Sequence, residues 1–208
     1  YTAAIHPDNP EFACAKEKGL PMLTRAELLG QIMRNYDTPV AISGTHGKTT
    51  TTSMVSHILL AGDCDPTISV GGILPAIGGN IRVGNSETFV TEACEYTNSF
   101  LSFFPKISII LNMDADHLDF FKDIDDIRHS FRRFAEFLPA DGTLIINADT
   151  PKYEDIIRDL PCNVITYGLE HDADYQAADI TYDKYGHASF SVLRNGVKVG
   201  SYYLKVPG

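Results

Sequence analysis

Residues 40–54, VAISGTHGKTTTTSM, place two glycines, a histidine, a lysine and a run of threonines between an apolar run and a helix-like stretch. These residue types at this spacing suit phosphate. Glycines let backbone N–H groups approach anionic oxygens, a helix N-terminus adds the positive end of its dipole, and a lysine brings a mobile cation to the terminal phosphates. Gly44, Thr45, His46, Gly47, Lys48, Thr49 and Thr50 are the candidate nucleotide-binding residues, with the Thr49 hydroxyl placed for Mg²⁺. The competing reading is an ordinary strand-to-helix turn whose lysine is solvated. The full-length phosphate loop, G-x-x-x-x-G-K-[ST], asks for glycine six positions before the lysine, where this chain has Ile42. By itself, this shortened loop implies a nucleoside triphosphate and no more.

Two further polar clusters follow strand-like runs. FVTEACEYTNSF carries Glu92, Cys94 and Glu95, and IILNMDADHLDFF carries Asn112, Asp114, Asp116, His117 and Asp119. In open α/β sheets ligands collect at the carboxyl ends of strands. A hard Mg²⁺ beside phosphates takes oxygen ligands, a role Glu92 suits. His117 is a less usual ligand for Mg²⁺. The bland alternatives are a solvated strand-end glutamate and a capping histidine. The glycines at 71, 72, 78 and 79 read either as flexible turns around short strands or as a substrate-facing loop.

Several elements are needed to position these residues. NPEFACAKEKG reads as a short helix capped by Asn9 and stopped at Gly19, after a possible strand end at 1–5. TRAELLGQIMRNY opens with a capping box, Thr24 and Glu27, and sets Leu28, Ile32 and Met33 on one face. PVAIS, ETFVTEA, KISIILNM, GTLIINAD and NVITYG are buried-strand candidates. Between them, KTTTTSMVSHILLAG has helical spacing at Met54, Ile58 and Leu59, and DIDDIRHSFRRFAEFL turns Ile127, Phe131, Phe134 and Phe137 inward. PKYEDIIRDL is one more helix. The alternation predicts an α/β fold, a mostly parallel P-loop-type sheet flanked by helices. The tail alternates polar and apolar residues around Asn195-Gly196, which predicts a small antiparallel β unit at the C-terminal end.

Composition narrows the partners. A net charge of −10 gives no basic footprint, so nucleic acid is not expected. The four cysteines are widely separated, which fits a reducing cytoplasmic setting better than a disulfide framework or structural zinc. No apolar run is long enough to span a bilayer, so no membrane partner is expected. Both termini read as internal sequence, as in a fragment of a longer chain.

The loop GTHGKTTTT resembles the shortened phosphate loop of the Mur ligase family of ATP-dependent amide-forming ligases. The segments EACE and NMDADH are similar to the family's metal-binding segments, which implies Mg²⁺ at Glu92 and His117, with Thr49, and a catalytic set of Lys48, Glu92 and His117. Cys94 departs from the family's usual Asp, and Glu95 is expected to face the same cleft. Several members carry a carbamylated lysine about fifteen residues after the histidine. Here that region is RHSFRRFAEF, with Arg132, Arg133 and no lysine, so no carbamate bridge is expected.

Within the resemblance, His46 between the glycines is the form of the alanine-adding branch and of murein peptide ligase, and the missing lysine favours the alanine-adding branch, which joins L-alanine to the lactyl carboxylate of UDP-N-acetylmuramate through an acyl phosphate in peptidoglycan precursor synthesis. A murein peptide ligase and a non-catalytic P-loop nucleotide-binding module are the alternatives. The resemblance further implies a remnant of a UDP-sugar-binding domain at 1–23, a connecting helix at 24–37 and a central ATP-binding domain at 38–208. The resemblance also implies an amino-acid-binding domain that lies outside these residues, so the fragment is expected to be inactive alone.

Overall fold

A computed structural model describes residues 1–2 and 5–207. The strand end read at 1–5 falls partly outside the described residues. Helix α1 (Pro10–Glu17) begins where the Asn9 side chain accepts from the amides of Glu11 and Phe12. Helix α2 (Arg25–Met33) begins at the expected capping box, with Thr24 and Glu27 bonded reciprocally.

Ten strands then form one sheet: β1 (Thr38–Ser43), β2 (Thr67–Leu74), β3 (Gly79–Arg82), β4 (Thr88–Glu92), β5 (Ile107–Ile110), β6 (Thr143–Asn147), β7 (Asn163–Gly168), β8 (Tyr175–Tyr182), β9 (His187–Arg194) and β10 (Val197–Pro207). Their spatial order is β10-β9-β8-β7-β6-β5-β1-β4-β2-β3. Strands β2, β4, β1, β5, β6, β7 and β8 pair in parallel, and β3, β9 and β10 pair antiparallel at the two edges. The tail is antiparallel as expected, and the Asn195-Gly196 turn has positive φ at both residues, 48° and 76°, as a tight hairpin requires. It continues the main sheet, because β8 also pairs in parallel with β7 at Tyr167↔Tyr175 and Gly168↔Gln176.

Both sheet faces are covered near the centre. On one, Ala41, Phe89, Ile110, Leu144 and Ile146 join Met33 of α2 and the inward side of α4 (Ile124–Glu136), with α5 (Tyr153–Ile157) beside them. On the other, Val40, Ile42 and Val90 meet Val55 and Leu59 of α3 (Lys48–Ala61).

Three helix faces differ from the sequence reading. In α2 the inward residues are Ala26, Leu29, Gly30 and Met33, while Leu28 and Ile32 are exposed. Gly30 sets that phase: a Cβ there would lie 1.9 Å from the Ser102 carbonyl oxygen, so only the glycine side can sit against that backbone. In α3 the inward row is Thr52, Val55, Ser56 and Leu59, and Ile58 is 71% exposed. Threonine and serine on the buried face disguised its period. In α4, Ile127, Phe131 and Phe134 are buried, but Phe137 lies just past the helix end and is exposed.

Candidate functional site

Three adjacent parallel strands bring the polar segments together. β1 is flanked by β4 and β5, so the loop after β1, Glu92 at the end of β4 and the 112–119 loop after β5 emerge side by side at the carboxyl edge.

The phosphate-type loop is pinned from below. Gly44 has φ 143°, and a Cβ there would lie 2.9 Å from that of Leu111, so both the conformation and the space call for glycine. The Thr45 amide donates to the Asn112 carbonyl at 3.1 Å, and the Thr45 hydroxyl accepts from the Asp114 amide at 2.9 Å. The His46 amide donates to Asn112 Oδ1 at 2.8 Å, while Asn112 Nδ2 donates to the His46 carbonyl at 3.0 Å. Gly47, at φ 84°, caps α3, whose first intrahelical bond is Thr51 N–H to the Gly47 carbonyl at 2.9 Å. The amides of Lys48, Thr49 and Thr50 therefore precede the helical ladder and face the space above the loop, as an anion requires. The Thr45 side chain is committed to the loop's own structure, and the His46 imidazole is exposed, 3.9 Å from Asp114.

Thr49 Oγ1 donates to Glu92 Oε2 at 3.0 Å, and the Gly71 amide donates to Glu92 Oε1 at 2.5 Å. A hydroxyl and a carboxylate at the foot of a phosphate loop form an oxygen donor set of the kind Mg²⁺ takes, so the residues fit that ion. Gly72 lies behind Thr49, with a hypothetical Cβ 3.3 Å from its methyl group.

The structure places His117 in the loop after β5, beside Glu95. Its Nε2 is 4.0 Å from Glu95 Oε1, and no group of three His, Cys, Asp or Glu able to hold a metal exists among the described residues. His117 has φ 52°, its ring lies 4.6 Å from that of Tyr96, and the Tyr96 hydroxyl donates to Asp119 Oδ2 at 2.7 Å. That bond to a carboxylate pushes the Tyr96 phenol up. Glu95 faces the cleft side of Lys48 as expected, and its carboxylate receives the ammonium. A cleft of about 700 Å³ runs from Lys48 and Glu92 past Cys94 to Arg25, Asn98 and Ser99. Desolvation and the Glu95 carboxylate push the Cys94 thiol up. Arg132 bonds Glu136 and the carbonyl of Ile156, away from this cleft.

Sequence reasoning did not find the Asn112 clamp or the tie between Gly71 and Glu92. The second had a signal, since paired glycines inside a strand mark a close approach of another group.

Family models match nearly the whole chain: the Mur ligase middle domain over residues 42–208, and the Mur ligase catalytic domain over residues 1–37. The chain belongs to the Mur ligase family. Among relatives of this Mur ligase chain, a protein of Lachnospira eligens named UDP-N-acetylmuramate–L-alanine ligase is 66% identical over all of the chain and 46% of its own length. One of the same name from Agathobacter rectalis is 62% identical over all of the chain and 45% of its own length. The chain thus spans about half the length of the curated relatives it matches. The solved UDP-N-acetylmuramate–alanine ligase of Thermotoga maritima superposes with TM-score 0.84 at 28% identity, over all of this chain and 46% of that one. The UDP-N-acetylmuramate:L-alanyl-γ-D-glutamyl-meso-diaminopimelate ligase of Neisseria meningitides superposes with TM-score 0.86 at 24% identity, over all of this chain and 68% of that one, and shares the fold.

Proposed function

We propose that this Mur ligase chain is the ATP-binding core of a cytoplasmic enzyme that joins L-alanine to the lactyl carboxylate of UDP-N-acetylmuramate through an acyl phosphate. The observation that carries the reading is the convergence of Lys48, Thr49 and Glu92 at the carboxyl edge of β1 and β4. The names of relatives at 66% and 62% identity support the alanine-adding reaction. Among the described residues no helix is long and apolar enough to cross a membrane. Residues 1–23 are assigned to a UDP-sugar-binding unit, 24–37 to a connector and 38–208 to the ATP-binding unit, a division close to the change of matched family model between 37 and 42.

Phosphoryl transfer asks the protein mainly for positioning and charge neutralisation. In this reading the amides of Lys48, Thr49 and Thr50 hold phosphate oxygens, and the Lys48 ammonium balances charge on the phosphoryl group in transit. Thr49 and Glu92 would hold Mg²⁺, which would supply further charge neutralisation at the phosphates. His117 is assigned to a second such ion. The cleft bordered by Arg25, Asn98 and Ser99 receives the acceptor carboxylate.

Calorimetric titration of the chain with β,γ-imido ATP and Mg²⁺ tests the reading. Binding that depends on Mg²⁺ and is lost in Lys48→Ala and Glu92→Ala is the expected result. Binding that survives both substitutions would overturn it. In a full-length protein carrying this chain, Lys48→Ala should lower kcat by about 100- to 1000-fold, as removal of a transition-state charge clamp does.

A further inference from the structure

The Lys48 ammonium is fully occupied before any phosphate arrives. It carries three protons. They are shared among the Gly44 carbonyl at 2.6 Å, the Thr45 carbonyl at 3.1 Å and both oxygens of Glu95, at 2.9 Å and 3.1 Å. The Glu95 side chain is 2% exposed, with Lys48 on one side and His117 Nε2 at 4.0 Å on the other. A buried carboxylate is costly to leave without a partner, and the Lys48 ammonium is the cation bonded to both of its oxygens. Glu95 therefore binds the ammonium tightly and also places a negative charge beside the site where phosphates would sit.

We propose that Glu95 is the positioning residue for Lys48: it fixes the ammonium in the empty loop and weakens ground-state phosphate binding so that the lysine is correctly placed during transfer. This rests on the nucleotide-site reading above. The chain geometry supports the assignment. Glu95 follows Glu92 by three residues, in the turn immediately after β4, so one short segment carries both the carboxylate facing Thr49 and the carboxylate facing Lys48. Thr97 and Asn98, which follow it, both adopt left-handed backbone, at φ 55° and 58°, and hold the segment in a sharp double turn. The Asn98 amide donates to the Glu95 carbonyl at 2.9 Å, and the Phe100 amide donates to the Cys94 carbonyl at 2.9 Å. The placement of Glu95 is thus built into the backbone.

Neutralising Glu95 has two opposite consequences. The ammonium becomes free to meet phosphate and the nearby repulsion disappears, so ground-state binding tightens. The ammonium also loses its fixed direction, so the chemical step slows. A purely structural glutamate would lower the melting temperature without splitting binding from turnover in this way.

The test is titration of the wild-type chain, Glu95→Gln, Lys48→Ala and the double variant with β,γ-imido ATP and with inorganic tripolyphosphate, each alongside a melting curve. Glu95→Gln should bind both probes about 10-fold more tightly, as expected from removing one charge at close range. The double variant should recover part of the binding lost in Lys48→Ala, since the repulsion is relieved but no ammonium is freed. In a full-length ligase carrying this chain, Glu95→Gln should lower KM for ATP and kcat together. If Glu95→Gln does not fold, Glu95→Asp, which draws the charge back from Nζ by one methylene, should shift binding in the same direction by about 3-fold. Equal or weaker binding by a folded Glu95 variant overturns the proposal while leaving the nucleotide site standing. A wild-type chain that binds neither probe overturns both.

Discussion

The amide of Gly71 points at the carboxylate of Glu92 from the neighbouring strand, 2.5 Å from Oε1, and a methyl group added at Gly71 would fall 2.8 Å from Oε2. The glycine leaves room for the carboxylate and also orients it. Gly71→Ala should push Glu92 off Thr49 and raise the Mg²⁺ concentration needed for nucleotide binding by about 10-fold, the loss of roughly one hydrogen bond to a charged group. The melting temperature should change little, because Glu92 is only partly buried. A Mg²⁺ titration of nucleotide binding decides it; an unchanged requirement would show that the contact does not orient a metal ligand.

Asn112 holds the phosphate loop through a reciprocal pair of hydrogen bonds with His46. Asn112→Ala should cost about 1–3 kcal/mol in stability, since two loop groups lose their partner. Hydrogen exchange at residues 44–48 should accelerate while that of β1 stays slow. Uniform acceleration across the sheet would mean that the side chain acts globally instead.

Gly30 lies against the backbone of Ser102, where a Cβ would meet the carbonyl oxygen at 1.9 Å. No rotamer change relieves a clash with backbone, so Gly30→Ala should destabilise by about 3 kcal/mol. Chemical denaturation measures this directly. A loss below about 1 kcal/mol would show that α2 can slide on the 310 segment at Tyr96–Ser102.

Asp149 supplies the acid dependence. Burial alone would raise its carboxyl, but the amides of Leu169, Glu170 and His171 and the His171 ring hold it down at about 2. A carboxyl whose folded value lies below its unfolded value of 3.8 stabilises above that value, and the contribution fades as pH falls from about 4 to about 2. Asp149→Asn should therefore lower stability at pH 7 by about 1 kcal/mol after allowance for solvent screening. The gap between variant and wild type should narrow at pH 3. A gap that widens on acidification would have the wrong sign for this carboxylate.

The loop, the carboxylate and most elements were legible because each had a local cause. Gly47-Lys48-Thr49 opens a helix, Glu92 ends the β-prone run TFVTE, Thr24 and Glu27 form a capping box, and Asn195-Gly196 turns a hairpin. The helix faces were less legible. In α2 the phase follows from an intimate backbone contact at Gly30, and in α3 the buried row includes Thr52 and Ser56, so hydrophobicity alone pointed to the wrong side. The Lys48–Glu95 pair spans 47 positions in the chain. Its reality depends on the order of β1 and β4 in the sheet, which local pattern does not encode.

The parallel register pairs Ile42 with Glu92, so the last rungs of a buried two-strand ladder end at the two halves of the site. The ladder fixes the base of the phosphate loop relative to the backbone of Glu92. The turns at 95–102 and 112–121, which carry Thr97, Asn98 and His117 in left-handed backbone, are anchored to that edge by the Asn98–Glu95 and Thr45–Asn112 bonds. The sheet edge and its two turns thus act as one fixed jaw, which meets a ligand without rearranging.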